Sequence, residues 1–347
     1  MSDYRRYYIL LSLMALALLA VGVFQSWNLM LAILNLCLIS AIMSLGVNLQ
    51  WGYAGLFNAG VMGFAALGGL AAMLVSKPAV MGAWQAGGSG IITGLAILVI
   101  TCFAGYFAWR RTASKGALRF WVVLGISVLG YFLARLVLDP AIQLIEAYQP
   151  SSSGYLGGAG LPVLISWVVG GIFAASVAFV IGRITLGLRS DYLAIATLGI
   201  SEIIIFFFKN EDWLTRGVKN VTGIPRPVPY EIDLQSSIWF QQSTQKIGID
   251  VIQASGLFVK LCYTGLFLSV LLVILWLCQR ALQSPWGRMM RAIRDNETAA
   301  SAMGKNVAAR HLQIFVLGSA VIGIAGAMLV TLDGQFNPTV YHPLRFT

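Results

Sequence analysis

The chain has 347 residues, 58% of them hydrophobic and 10% charged, with a mean hydropathy of +0.81 and a formal net charge of +10. Soluble domains carry about a quarter charged residues, so a water-soluble globular fold is excluded and lipid is the solvent for most of the molecule. Four cysteines, Cys37, Cys102, Cys262 and Cys278, fall in or at the edge of apolar runs without CxxC spacing, and His311 and His342 stand far apart. Neither set suits a disulfide frame or a metal site.

A span needs roughly 20 mostly apolar residues. Nine runs qualify: Tyr8–Phe24, Trp27–Gln50, Leu56–Val75, Ile91–Trp109, Leu118–Leu136, Leu161–Ile181, Tyr192–Phe208, Gly256–Cys278 and Leu312–Leu332. The expected fold is an all-α polytopic membrane protein of about nine transmembrane helices. The first run lacks a small-residue cleavage site and leads straight into the second, so it reads as a span and not a removed signal. The third carries Gly60, Gly63, Gly68 and Gly69. It is either a broken or re-entrant helix enclosed by protein, or a helix packed closely through small residues.

The seventh run holds Glu202, which has no companion carboxylate inside a span. An ionised acid at mid-membrane costs at least about 2.5 kcal/mol, so Glu202 is expected to face a cavity or a partner. Ser201 adjoins it, and Thr197 and Gly199 lie within the preceding turns. A translocation path and a bundle-locking hydrogen bond both remain open for it.

Connecting loops sort the charges by side. One side collects Arg5, Arg6, Arg110, Arg111, Lys115, Arg119, Arg183, Arg189, Arg280, Arg288, Arg291, Arg294, Lys305 and Arg310 against Asp3, Asp191, Asp295 and Glu297. On the other side Lys77, Arg135, Lys209, Arg216, Lys219, Arg226, Lys246, Lys260 and Arg345 are nearly balanced by acids. The N-terminus and the loop Gln279–His311 are therefore expected in the cytoplasm, and Lys209–Ser255 outside. The positive charge reads as topology and offers no support for nucleic-acid binding.

The loop after the eighth run concentrates the cations. Ser284-Pro-Trp-Gly287 punctuates the exit from the span. Arg288–Met303 suits one short helix with Met289, Met290, Ile293 and Ala300 as its apolar stripe, stopped by Gly304. Such a helix either lies on the membrane or docks a partner. No phosphate loop, HExxH or Gly-x-Ser-x-Gly elbow occurs. The chain is thus not expected to be an enzyme, and any nucleotide chemistry belongs to another subunit. The outer loop holds Asn220-Val-Thr222, a short sequon match of little weight.

Four motifs occur in order: Gly52-Tyr-Ala-Gly55; Tyr192-Leu-Ala-Ile-Ala-Thr-Leu-Gly-Ile-Ser-Glu202; Thr222-Gly-Ile-Pro-Arg-Pro227; and Ser284-Pro-Trp-Gly through Asp295-Asn-Glu-Thr-Ala-Ala-Ser-Ala-Met-Gly304. Together they resemble the longer permease type of bacterial branched-chain amino-acid ABC importers, over roughly Trp27 to Thr347. The resemblance implies one permease domain over residues 1–347 in the bacterial inner membrane, with 279–311 as an ATPase-coupling loop. It implies two ABC ATPase subunits that carry ATP and Mg, a second permease subunit, a soluble binding protein and no cofactor on this chain. The coupling residues it implies are Arg291, Arg294, Glu297, Ala299, Ala300 and Gly304. The translocation-path candidates are Asn58, Thr197, Ser201 and Glu202, and no catalytic or metal residues are expected.

Relatives often read Ser-Leu-Gly-His where this chain has Asn58-Ala-Gly-Val61, and Thr-Gly-Gly-Pro-Asn-Gly where it has Thr215-Arg-Gly-Val-Lys-Asn220. These departures widen the solute class to urea, amides or a more acidic solute. Relatives usually continue through further apolar segments, which leaves the completeness of the C-terminus open. A competing class is an ion-coupled secondary transporter with Glu202 as its proton site. A membrane-embedded enzyme ranks last, for want of paired acids, a nucleophile–base set or metal ligands.

Overall fold

In a computed structural model, which describes residues 2–112, 116–149, 154–188, 190–217, 219–248 and 250–341, nearly every apolar run is a helix. Of the charges assigned to a side above, Lys115, Arg189 and Arg345 lie outside these residues, as does His342. We number the long helices and the two helices of the basic loop α1 (Ser2–Phe24), α2 (Trp27–Asn48), α3 (Val61–Ser76), α4 (Ser89–Arg111), α5 (Gly116–Ala147), α6 (Val163–Thr185), α7 (Ser190–Asn210), α8 (Val251–Gln283), α9 (Pro285–Asp295), α10 (Glu297–Ala302) and α11 (Val307–Asp333). Seven described helices are long and apolar enough to cross a membrane, while Tyr8–Phe24 and Val61–Ser76 are shorter apolar helices. The protein is an all-α polytopic membrane protein.

Helix direction alternates. Ser26 caps α2 by accepting from the Leu29 amide at 3.0 Å, closing the α1–α2 hairpin. At one end of the bundle, Lys260 on α8 donates to the Asn28 carbonyl at 3.0 Å, and Lys77 donates to the carbonyls of Thr222 and Gly223 at 2.7 and 2.8 Å. There β1 (Val221–Thr222) pairs antiparallel with β2 (Gln335–Phe336). At the opposite end, Arg294 reaches the end of α2 by donating to the Gly52 carbonyl at 2.6 Å. Basic ends of α4, α6 and α8 share that face.

α11 is the centre, with α2, α3 and α6 packed around it. Lipid tails are as apolar as the side chains, so the drive for assembly is close packing and hydrogen bonding. Glycines supply the closeness. A Cβ on Gly68 of α3 would fall on the Gly323 carbonyl of α11, and one on Gly326 would fall on the Ala65 carbonyl. A Cβ on Gly46 of α2 would lie 2.7 Å from the Gly318 carbonyl, and one on Gly323 2.7 Å from the Gly170 carbonyl of α6. Hydrogen bonds add to this. Trp167 donates to Thr331 Oγ1 at 3.2 Å, Tyr263 to the Thr331 carbonyl at 2.9 Å, and Asn35 to the Lys260 carbonyl at 3.2 Å. Such interhelical bonds contribute about 0.6–2 kcal/mol each.

Of the two readings of the glycine-rich third run, close packing through small residues is what the structure displays, since Val61–Ser76 is one unbroken helix. α3 has only 16 residues, ~24 Å at 1.5 Å per residue, and nearly all are buried. A non-helical stretch, Gly55–Gly60, precedes it, with Leu56, Asn58 and Gly60 buried and Gly55 and Phe57 exposed. Some boundaries differ from the sequence reading: α5 runs through Pro140 to Ala147, and α8 begins at Val251.

Gly68→Ala is expected to overpack the α3–α11 contact and cost about 1–3 kcal/mol, read as a lowered unfolding midpoint in detergent. Gly265→Ala, where an added Cβ meets no atom within 4 Å, should stay within about 0.5 kcal/mol of wild type.

Candidate functional site: a braced loop and a buried polar cluster

The basic loop does not form the single helix expected over Arg288–Met303. It forms α9 and α10, broken at Asn296, whose extended backbone (φ −157°, ψ 98°) cannot continue α9. The Asn296 side chain accepts from the Ala299 amide at 2.9 Å and starts α10 as an N-cap. Pro285 at the first turn of α9 fits the same logic, since its missing N–H needs no partner there.

The two helices differ in burial. Met290 and Ile293 are buried and anchor α9 beneath the bundle, and Met289 is half-buried. α10 stands free: Glu297 and Ala299 are exposed, Ala300 is partly covered, and Met303 is 80% exposed. Gly304 follows at φ +75° with no atom within 4 Å of a would-be Cβ, and its amide donates to the Ser301 carbonyl at 2.9 Å. A left-handed residue ends the helix, and glycine takes that backbone without a steric penalty.

Both predicted arginines bond within this chain. Arg291 donates to the Leu282 carbonyl at 3.3 Å. Arg294 bonds Asp295 at 3.0–3.1 Å while donating to the Gly52 carbonyl. The second bond braces the loop against the end of α2.

That end is a π-helical turn, Leu49–Tyr53. It turns Gln50 into the core and leaves Trp51 outside. Gln50 donates to the Phe315 carbonyl at 2.9 Å and to Ser319 Oγ at 3.1 Å, both on α11. Asn58 donates to Gln50 Oε1 at 2.8 Å, and its own Oδ1 accepts from the Gly60 amide at 2.9 Å. Thr197 on α7 accepts from the Ala59 amide at 3.1 Å. Ser201, one turn on, is buried against Gly63 with its hydroxyl unpartnered. Beside this cluster a cleft of about 760 Å³ opens along α2, lined by Ser44, Asn48, Trp51, Phe57, Asn58 and Met62. Trp51 and Phe57 meet edge to face at 5.0 Å.

Asn58, Thr197 and Ser201 therefore gather at the start of α3, as the sequence grouped them. Glu202 does not join them. It is exposed while Ser201 is buried, because neighbouring helical residues point about 100° apart. Of the two expectations for it, a cavity or a partner, no cavity wall of this chain covers it among the described residues, and the partner stays open. Gln50 and Ser319, the centre of the cluster, were missed. The available signal was polar side chains inside otherwise apolar runs, which membrane proteins rarely carry without purpose.

A family described as the permease component of the branched-chain amino acid transport system matches residues 29–344. The chain belongs to that family. It is similar to the high-affinity branched-chain amino acid transport system permease protein LivM of Salmonella typhimurium, 28% identical over 70% of this chain and 58% of the relative. The Escherichia coli LivM is 29% identical over 62% of this chain and 49% of its own. A probable LivM of Methanocaldococcus jannaschii is 25% identical over 49% and 42%. The chain spans about half the length of these curated relatives. No solved structure matches it.

Gln50→Leu should leave the buried Asn58 amide unpaired and destabilise by about 1–3 kcal/mol. Because the two side chains share a bond, Gln50→Leu with Asn58→Leu should lose less than the sum of the single variants in a thermal-unfolding double-mutant cycle.

Proposed function

We propose that this chain is a transmembrane permease subunit of an ATP-driven ABC importer, moving branched-chain amino acids or a related small solute by alternating access. The observation that carries the reading is α10: a short helix with Glu297 and Ala299 exposed and Gly304 at its end, presented on the basic face and braced through Arg294 to the π turn beside the polar cluster. Two ATPase subunits, which hold ATP and Mg, receive α10. Their closure moves α10, and the brace passes that movement to the Gln50–Asn58 cluster and the cleft. A second permease subunit completes the path, and a soluble binding protein supplies the solute.

The basic face, the N-terminus and the loop 279–311 are cytoplasmic in the bacterial inner membrane, in accordance with the excess of cations on that side. The chain itself performs no catalysis and holds no cofactor. Amide side chains that line the cleft, Asn48 and Asn58, suit a small polar solute and keep urea or amides within the solute class. The ion-coupled alternative, with Glu202 as its proton site, gives the loop 279–311 and its exposed helix α10 no role.

The test is uptake into proteoliposomes holding this chain with its ATPase subunits, second permease and binding protein. Glu297→Ala and Gly304→Leu should each lower uptake at least about tenfold, ~1.4 kcal/mol, while ATP hydrolysis continues. Coupled uptake at the wild-type rate in both variants would overturn the reading.

A further inference from the structure

α4 and α5 form a hairpin that packs chiefly on itself, joined to the rest by a small core of Ala83, Ile91, Ala141, Ile145 and Leu156. Its arms close tightly away from the basic face. A Cβ on Gly90 would lie 2.5 Å from Ala141 Cβ, and one on Gly130 would fall on Thr101. Toward the basic face they part: a Cβ on Gly105 would meet only Val123, at 4.0 Å. The result is a wedge of about 480 Å³ lined by Cys102, Tyr106, Trp109, Val123, Ser127 and Tyr131. Its walls are mostly apolar, and Phe103, Phe107 and Phe132 beside it are 62–70% exposed.

Three guanidinium groups stack on rings at this end of the hairpin, two of them on wedge-lining Tyr106 and Trp109. Arg119 lies 3.4 Å over the Trp109 ring, Arg110 stacks on Tyr106 at 5.1 Å and Arg111 on Phe107 at 5.8 Å. Nε of Arg119 is buried with no acceptor. No carboxylate among the described residues pairs with any of the three. The sequence has no acid between Tyr4 and Leu138. Three unpaired cations above an apolar wedge in a membrane-spanning hairpin call for a ligand that is anionic at one end and apolar at the other.

We propose that this wedge is a binding site for an anionic phospholipid, its phosphodiester held by Arg110, Arg111 and Arg119 and an acyl chain seated along Cys102, Gly105 and Val123. Arginine's planar fork donates two parallel hydrogen bonds to phosphate oxygens, and the aromatic stacks hold each fork at the interface. A zwitterionic choline lipid fits less well, since no acid is present to receive its cation. The inference depends on the hairpin being in the membrane and is independent of which solute the permease carries.

Native mass spectrometry of the detergent-purified full chain, with any co-purifying subunits, tests it against phosphatidylglycerol and phosphatidylcholine. An arginine near anionic lipid contributes about fivefold in affinity, so wild type should retain phosphatidylglycerol at least about tenfold better than phosphatidylcholine. Arg110→Gln with Arg111→Gln and Arg119→Gln should abolish that preference. Gly105→Trp, which keeps all three arginines and fills the wedge, should also release the lipid while leaving the circular dichroism spectrum unchanged; it carries the test if the triple variant does not fold. Equal retention of the two lipids by wild type would overturn the proposal. So would displacement of phosphatidylglycerol by millimolar inorganic phosphate, or a triple variant that keeps the lipid and sheds a co-purified subunit.

Discussion

Everything else in this chain depends on backbones approaching α11 without side chains between them. Gly68 and Gly326 bring α3 and α11 together, Gly46 and Gly318 bring in α2, and Gly170 and Gly323 bring in α6. In lipid this contact is the main drive for helix association, because burial against a neighbour gains little over burial in acyl chains. It also explains how a helix too short to span can persist. α3 is almost wholly buried, and of the non-helical stretch ahead of it Leu56, Asn58 and Gly60 are buried while Gly55 and Phe57 face outward.

That partly buried stretch is where the polar chemistry collects. Its backbone amides and side chains are paired by Gln50, Asn58 and Thr197, as a buried polar group in hydrocarbon must be. The same π turn that directs Gln50 inward presents the Gly52 carbonyl outward to Arg294. This bond is solvent-exposed and so contributes at most about 1 kcal/mol, but it joins the basic loop to the turn that carries Gln50. The loop then has two mechanical parts: α9 fixed by Met290 and Ile293, and α10 left exposed.

The spans were readable because the lipid requirement is crude: long apolar runs suffice. What the sequence left open was decided by contacts between distant positions. Gln50 and Ser319 are 269 residues apart, and no local pattern pairs them. Ser201 and Glu202 are adjacent, and a single step around α7 places one in the core and the other outside. The glycine run of α3 fitted two readings, and only its distant neighbours on α11 and α6 show that it serves close packing in an unbroken helix. The division at Asn296 had a local signal that went unused: Asn followed by Glu is a helix start, but the apolar stripe running across it suggested one continuous helix. Arg294 looked like a partner contact, and its use within the chain could not be seen without the fold that carries Gly52 to it.

The central claim is that α10 and the rim of the polar cluster move as one body. Spin labels at Ala299 and Phe57, in a background without the native cysteines, report their separation by double electron–electron resonance in the assembled transporter. The account predicts a single distance distribution that is the same with ATP and Mg trapped in the ATPase subunits as without nucleotide. A shift of several ångströms between those two states would mean that the loop slides past the π turn, and would contradict it.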